Sequence, residues 1–201
     1  AQASLMSRYG PKEMAAAFRT VRKNTLQAAT EIPEDKYDFV AAPELRSVRA
    51  MLTHIAFYPS LHEDLHRVKH VTTLQGYDFF GMMGKIGAEE GKKRTKAEII
   101  TVLTSEGERF AAWLDGLTPA FLEETYTDPT GAISKTRMES LMSAKEHEMH
   151  HRAQLFLAER QQIATGEPRF ARLDHRLRPR QEREQRLRAH GVERQARHDR
   201  G

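Results

Sequence analysis

Apolar positions recur at three- and four-residue intervals along four separate stretches of this chain, the spacing that turns one side of an α-helix toward a core. The first stretch is residues 11–32, with Met14, Phe18, Val21, Thr25, Ala28 and Ile32 on one strip and Pro33 ending the pattern. Residues 33–43 (PEDKYDFVAAP) form a connection. Helical spacing resumes from Glu44 through Leu45, Val48, Leu52 and Ile55, until Pro59 is expected to bend or end the helix. Thr95 and Glu98 make a capping box that opens a third helix through Ile99, Val102, Leu103, Phe110, Trp113 and Leu114, stopping near Gly116 and Pro119. After the turn-rich FLEETYTDPTGAI, Ser134 or Thr136 can cap a fourth helix, with Glu139 three residues beyond Thr136. No stretch alternates convincingly as a strand. The pattern predicts an all-α four-helix bundle with a long crossover at 71–94. Five glycines and weak periodicity there predict a mobile connection, with Phe79, Phe80, Met82 and Met83 packing it on the bundle.

Composition divides the chain in two. The 201 residues, 39% hydrophobic and 30% charged, suit one soluble domain with a real core. Residues 169–201, however, hold eleven arginines, five acidic residues and no lysine, a net charge of +6 that leaves −2 for the rest of the chain's +4. The domain is therefore expected at 1–168 and to fold without the Arg-rich tail at 169–201. That tail has too few apolar residues for a core of its own, and is read as disordered, as a frayed helix or as a frame-shifted segment, rather than as a nucleic-acid arm. No apolar run approaches the ~18 residues of a membrane span, so no membrane partner is expected. The absence of cysteine excludes disulfides and thiolate ligands without fixing the compartment. The expected location is the cytoplasm, with the periplasm or secretion as the alternative if Ala1 follows a removed signal peptide.

The chemistry is concentrated in SAKEHEMHHRAQLFLA, residues 143–158. His147 and His151 stand four apart on a helix and share a strip with Ala144, Leu155 and Ala158, so both imidazoles can reach one metal ion beside small neighbours. His150 falls on another side. H-E-x-x-H is lacking, so a metalloprotease is a poor fit, and a third ligand must come from His, Asp or Glu elsewhere. His54 leans inward on the second helix with Met51, Tyr58 and Leu61. The row His62, His66, His70 lies among charged residues beyond a proline and is read as a solvated face. GMMGKIG lacks the spacing of a phosphate-binding loop. The E-x-x-H spacings at Glu63/His66 and Glu148/His151 admit a carboxylate-bridged diiron bundle, for which Glu106 and Glu13 are the further carboxylates. Glu146, Glu148, Gln154 and Glu106 are the candidates to accept the second N–H of a metal-bound imidazole.

The segment IPEDKYDF, the stretch ELRSVRAMLTHIA around His54 and the closing HEMHHRAQ together resemble the DinB/YfiT-like four-helix metalloenzymes over residues 12–163. The resemblance implies a divalent-metal site made by His54, His147 and His151, with zinc or nickel the expected ion. Relatives of that kind include thiol-dependent S-transferases, so it also implies an enzyme acting on a small-molecule substrate through a low-molecular-weight thiol or water. A homodimer is admitted and nucleic acid is not expected. The competing function is a non-catalytic bundle that binds a partner or uses metal structurally.

Overall fold

A computed structural model of the chain describes residues 9–163, and the Arg-rich segment at 169–201 lies outside the described residues. Four helical rods make the bundle: α1 (Pro11–Glu31), the run of α2 (Val48–Phe57) into α3 (Pro59–Glu63), α5 (Lys96–Asp115) and α7 (Arg137–Ile163). Two shorter helices, α4 (Phe79–Glu90) and α6 (Pro119–Glu123), lie in the connections. The caps expected from sequence are present. Thr95 accepts from the Glu98 amide while the Glu98 carboxylate accepts from the Thr95 amide at 2.7 Å, and Thr136 and Glu139 repeat the exchange before α7.

Four details differ from the sequence reading. α2 begins at Val48 rather than near Glu44, because Ser47 caps it by accepting from the Ala50 amide, and Leu45 is left exposed. Pro59 does not break the row. It stands first in α3, where its missing N–H costs little, and Tyr58 keeps helical angles. Residues 71–94 are not a loose connection, since α4, capped by Asp78, packs on α2, and its Met82 and Ile86 form a cluster with Leu61 of α3 and Leu65 just beyond it. Tertiary burial there outweighs the poor helix propensity of glycine. Finally, β1 (Thr125–Thr127) and β2 (Ser134–Thr136) pair antiparallel as a short hairpin, with Thr125 opposite Thr136.

Tyr37 in the connection after α1 is fully buried and its hydroxyl donates to the Ala29 carbonyl at 2.7 Å, which ties that connection to the rod. Burial pushes its phenol up to about 12.

Two apolar clusters fill the bundle. One contains Ala29, Leu52, Ile55, Leu103 and Leu155, and the other Phe18, Phe110, Leu114, Leu141 and Ala144. Between them lies a buried ion pair. Arg22 is 4% exposed and Glu148 2%. The Arg22 Nε and NH2 atoms donate to the Glu148 carboxylate at 2.9–3.1 Å, NH1 to the Leu103 carbonyl at 2.7 Å, and NH2 also to the Ile55 carbonyl at 3.1 Å. One guanidinium thus joins α1, α2, α5 and α7. Gly107 of α5 leaves it room, because a Cβ there would meet the Arg22 Cγ and NH1 atoms at 2.9 Å.

Removing one partner strands the other charge inside the bundle. Glu148→Ala is expected to lower the unfolding free energy by about 3–5 kcal/mol in urea titrations, whereas Arg22→Met combined with Glu148→Leu restores most of the loss. A loss under about 1 kcal/mol in the single variant would show that the pair is dispensable.

Candidate metal centre

His54 comes from α2 and His147 and His151 from α7, and the three imidazoles converge through the same ring atom. The Nε2 of His147 lies 3.2 Å from the Nε2 of His54 and 3.0 Å from that of His151. His54 is 2% exposed and His151 8%, while His147 is half-buried. Among the described residues this is the one group of three metal-type ligands whose donor atoms come within 4.8 Å of one another.

Hydrogen bonds on the far side of two rings decide which nitrogen is free. The Nδ1 of His54 donates to Glu90 Oε1 at 2.7 Å, and the Nδ1 of His151 donates to Gln154 Oε1 at 2.8 Å. Both Nε2 atoms are then bare lone pairs turned toward a common point. Nitrogens bound to one zinc at 2.0–2.1 Å in a tetrahedron stand about 3.3 Å apart, close to the spacings found here. The three residues would fit a single divalent ion.

Burial and the neighbouring rings lower two of the three imidazoles, His147 and His151. Desolvation, helped by His151, His54, His62 and His150, pushes His147 down to about 2. His151 is also lowered, by burial first and by His54, His150 and Arg46, against the opposing bond to Gln154. Burial alone would raise the Glu90 carboxyl, but its bonds from His54 and from Arg46 Nε at 2.7 Å hold it below the usual range. The ring of Tyr58 stacks on His147, 3.3 Å between centroids and 8° from parallel.

Of the four residues expected to accept from the ligands, Gln154 alone does so. Glu148 is committed to Arg22, Glu106 pairs with Arg109, and Glu146 is exposed beside Lys145. Sequence reading missed Glu90 because it lies in the glycine-rich segment taken for a loop, where no helical wheel places it. The carboxylates of the diiron alternative are spent elsewhere. Glu63 lies against Arg109 and Arg67, Glu148 against Arg22, and Glu13 accepts from the Gly10 amide. His150 is exposed; it touches the Gln154 amide at 3.3 Å and packs edge-on against the His151 ring at 5.1 Å between centroids.

The row read as solvated is largely interior. His62 is 3% exposed and His66 fully buried, and only His70 stays outside, with a φ of 46°. Because the helix runs through Pro59, the row His54, Tyr58, His62, His66 continues down one face and into a π-helical turn at Asp64–Val68.

A match to the DinB superfamily family model covers residues 17–155. Among curated proteins none matches the sequence. Two solved structures from Bacillus subtilis share the fold. YfiT, described as a probable metal-dependent hydrolase with an unusual four-helix bundle topology, superposes with a TM-score of 0.60 at 17% identity over 81% of this chain and 93% of its own. The DinB-like protein YjoA gives a TM-score of 0.55 at 20% identity over 78% of this chain and 96% of its own.

The interior histidines also predict a pH response. Burial pushes His62 down to about 4, and burial together with His62, Arg137 and His70 pushes His66 to about 3. Their folded pKa values lie below the unfolded value of about 6.5, so the unfolded chain binds more protons as pH falls from there. Their contribution is complete above about pH 6.5 and is lost progressively down to about pH 3. The urea midpoint is expected to drop between about pH 7 and pH 4, and NMR is expected to find both rings still neutral at about pH 5.5. Rings protonated at that pH in the folded protein would contradict this. With the family model spanning well over half of its length, the chain belongs to the DinB superfamily.

Proposed function

We propose that this protein is a metal-dependent enzyme whose single divalent ion, zinc or nickel, is held by the Nε2 atoms of His54, His147 and His151. The observation that carries the reading is the convergence of three ring nitrogens within 4.8 Å of one another, His147 Nε2 standing 3.2 Å from that of His54 and 3.0 Å from that of His151, with the far N–H of His54 and His151 fixed by Glu90 and Gln154. A bound ion with three neutral ligands would keep its full double charge and make a fourth ligand such as water or a thiol available as an anion near neutral pH.

The chain's own groups prepare that position. Glu90, itself held by Arg46, orients His54 and raises its basicity as a ligand, and Gln154 does the same for His151. Tyr58 walls one side of His147 with an aromatic face. Two nucleophiles fit such a site. The description of YfiT supports water and hydrolysis. The resemblance to thiol-dependent transferases supports a low-molecular-weight thiol, whose free form near pKa ~8.5 is mostly protonated at neutral pH. The substrate is a small molecule in either case, and the passive metal bundle is the rival reading.

Metal content of the purified protein and its single variants tests the ligand set. His54→Ala, His147→Ala and His151→Ala are each expected to lose most of the bound metal, and His150→Ala to keep it. Unchanged content in the His147 and His151 variants would remove the proposal. The cobalt-substituted protein is then expected to change its visible spectrum on adding thiols or azide. Metal-dependent transfer to monochlorobimane with thiol present identifies a transferase, and ester cleavage without thiol identifies a hydrolase. A cobalt spectrum that no thiol or anion perturbs would make the site structural.

A further inference from the structure

The carboxylate behind His54 serves a second partner. Glu90 Oε1 accepts from His54 Nδ1 at 2.7 Å and Glu90 Oε2 accepts from Arg46 Nε at 2.7 Å. One side chain at the end of α4 thus joins a candidate metal ligand to a guanidinium in the connection that leads into α2. Exposure rises along the row. The His54 side chain is 3% exposed, Glu90 14% and Arg46 39%, which puts the cation at the outer edge of the trio. A second ligand locates it further. His151, lowered first by burial, is lowered also by the charge of Arg46, so the guanidinium stands on the His54 and His151 side of the site, while His147 has the Tyr58 ring stacked against it. The surroundings share its sign. GKKRTK, the segment that follows Glu90, places Lys92, Lys93 and Arg94 next to it, with the single carboxylate of Glu89 set against Lys92 and Arg94.

Charge accounting gives Arg46 a meaning beyond holding Glu90 in place. Three imidazole ligands bring no charge to a divalent ion, and the one carboxylate behind them would offset half of the ion's charge if it stood alone. Arg46 cancels that carboxylate, so a loaded site would face its ligand with the ion's double charge and a basic rim. The guanidinium also has an edge suited to an anion. Glu90 engages it through Nε, and the edge formed by the two terminal nitrogens matches the paired oxygens of a carboxylate or phosphate. We propose that Arg46 is a specificity-determining residue of this site, receiving through its terminal nitrogens the anionic oxygen group, carboxylate or phosphate, of the small molecule that the site binds. Resting on the three-histidine reading, this names the ligand class within it: a metal-seeking group at one end and an anion a short chain away. Two hydrogen bonds, a carboxyl group and an imidazole separate Arg46 Nε from His54 Nε2, which bounds the gap at about 10 Å, the span of a few carbon atoms.

The test titrates cobalt-loaded protein with mercaptocarboxylates of about two to six carbons, with the corresponding phosphonates and, as the uncharged reference, with the corresponding amides. Affinity is read from the visible spectrum and corrected for each thiol's own ionisation. In the wild type the best-fitting anionic thiol is expected to bind about ten-fold more tightly than its amide, and the series with the larger preference names the group. Arg46→Gln is expected to bring that ratio to within about two-fold of one. Both thiols report on the same cobalt centre, so the ratio does not move if the loosened Glu90 merely weakens metal binding. Lys93→Gln is expected to keep the wild-type ratio. A ratio near one at every chain length in the wild type overturns the proposal without any variant. So does a preference kept in Arg46→Gln, or lost as fully in Lys93→Gln, since either traces it to the general field. Failure of the ligand set looks different: cobalt retained by His147→Ala and His151→Ala, or a spectrum that no thiol perturbs, removes the three-histidine enzyme reading and this inference with it.

Discussion

The buried contact between Arg22 and Glu148 is the constraint on which the rest of the bundle depends. A guanidinium and a carboxylate placed between two apolar clusters are costly to desolvate, and the arrangement is tolerable only because the carboxylate oxygens and two backbone carbonyls take up the guanidinium's donors. Those bonds have directions as well as energies. Glu148 must face inward toward Arg22, which fixes the rotation of α7 about its own axis. His147 and His151 flank Glu148 on that helix, so the same rotation turns their rings toward α2. The Ile55 carbonyl that accepts from Arg22 adjoins His54 in sequence, so the two sides of the histidine trio are referred to one buried cation.

This explains which parts were legible in the sequence. The four rods, their caps at Thr95 and Thr136, and the strip shared by His147 and His151 all follow from local spacing and local hydrogen bonding. What escaped depends on contacts between distant segments. Arg22 lies on the apolar face of α1 between Phe18 and Thr25, yet a lone arginine in a hydrophobic strip gives no sign of its partner until Glu148 is found in the corresponding place on α7. Glu90 was hidden for another reason. A segment with glycines at 81, 84 and 87 has low helix propensity, and only packing of Met82 and Ile86 makes it a helix that delivers a carboxylate to His54. His62 and His66 were hidden by Pro59, whose position at the start of α3 lets the helix continue inward.

The site that results has an outer layer as specific as its inner one. Each of two ligands is backed by an oxygen from a different element, the Glu90 carboxylate on α4 and the Gln154 amide on α7 itself, and the carboxylate is in turn held by Arg46. Under the proposed function, imidazoles held in this way would leave the charge of a bound ion undiminished, which is the basis for proposing activation of an anionic nucleophile. Carboxylates that could have built a two-metal site are neutralised by arginines instead, so the same polar accounting that favours a single ion disfavours the diiron architecture.

X-ray absorption at the zinc edge of the zinc-loaded protein tests this account most directly. Three imidazole nitrogens at about 2.0–2.1 Å, with a light oxygen or nitrogen scatterer completing the shell and no second metal, is the result the three-histidine centre predicts. A shell with fewer than two imidazoles, or a metal neighbour at about 3.5–4 Å, would contradict it.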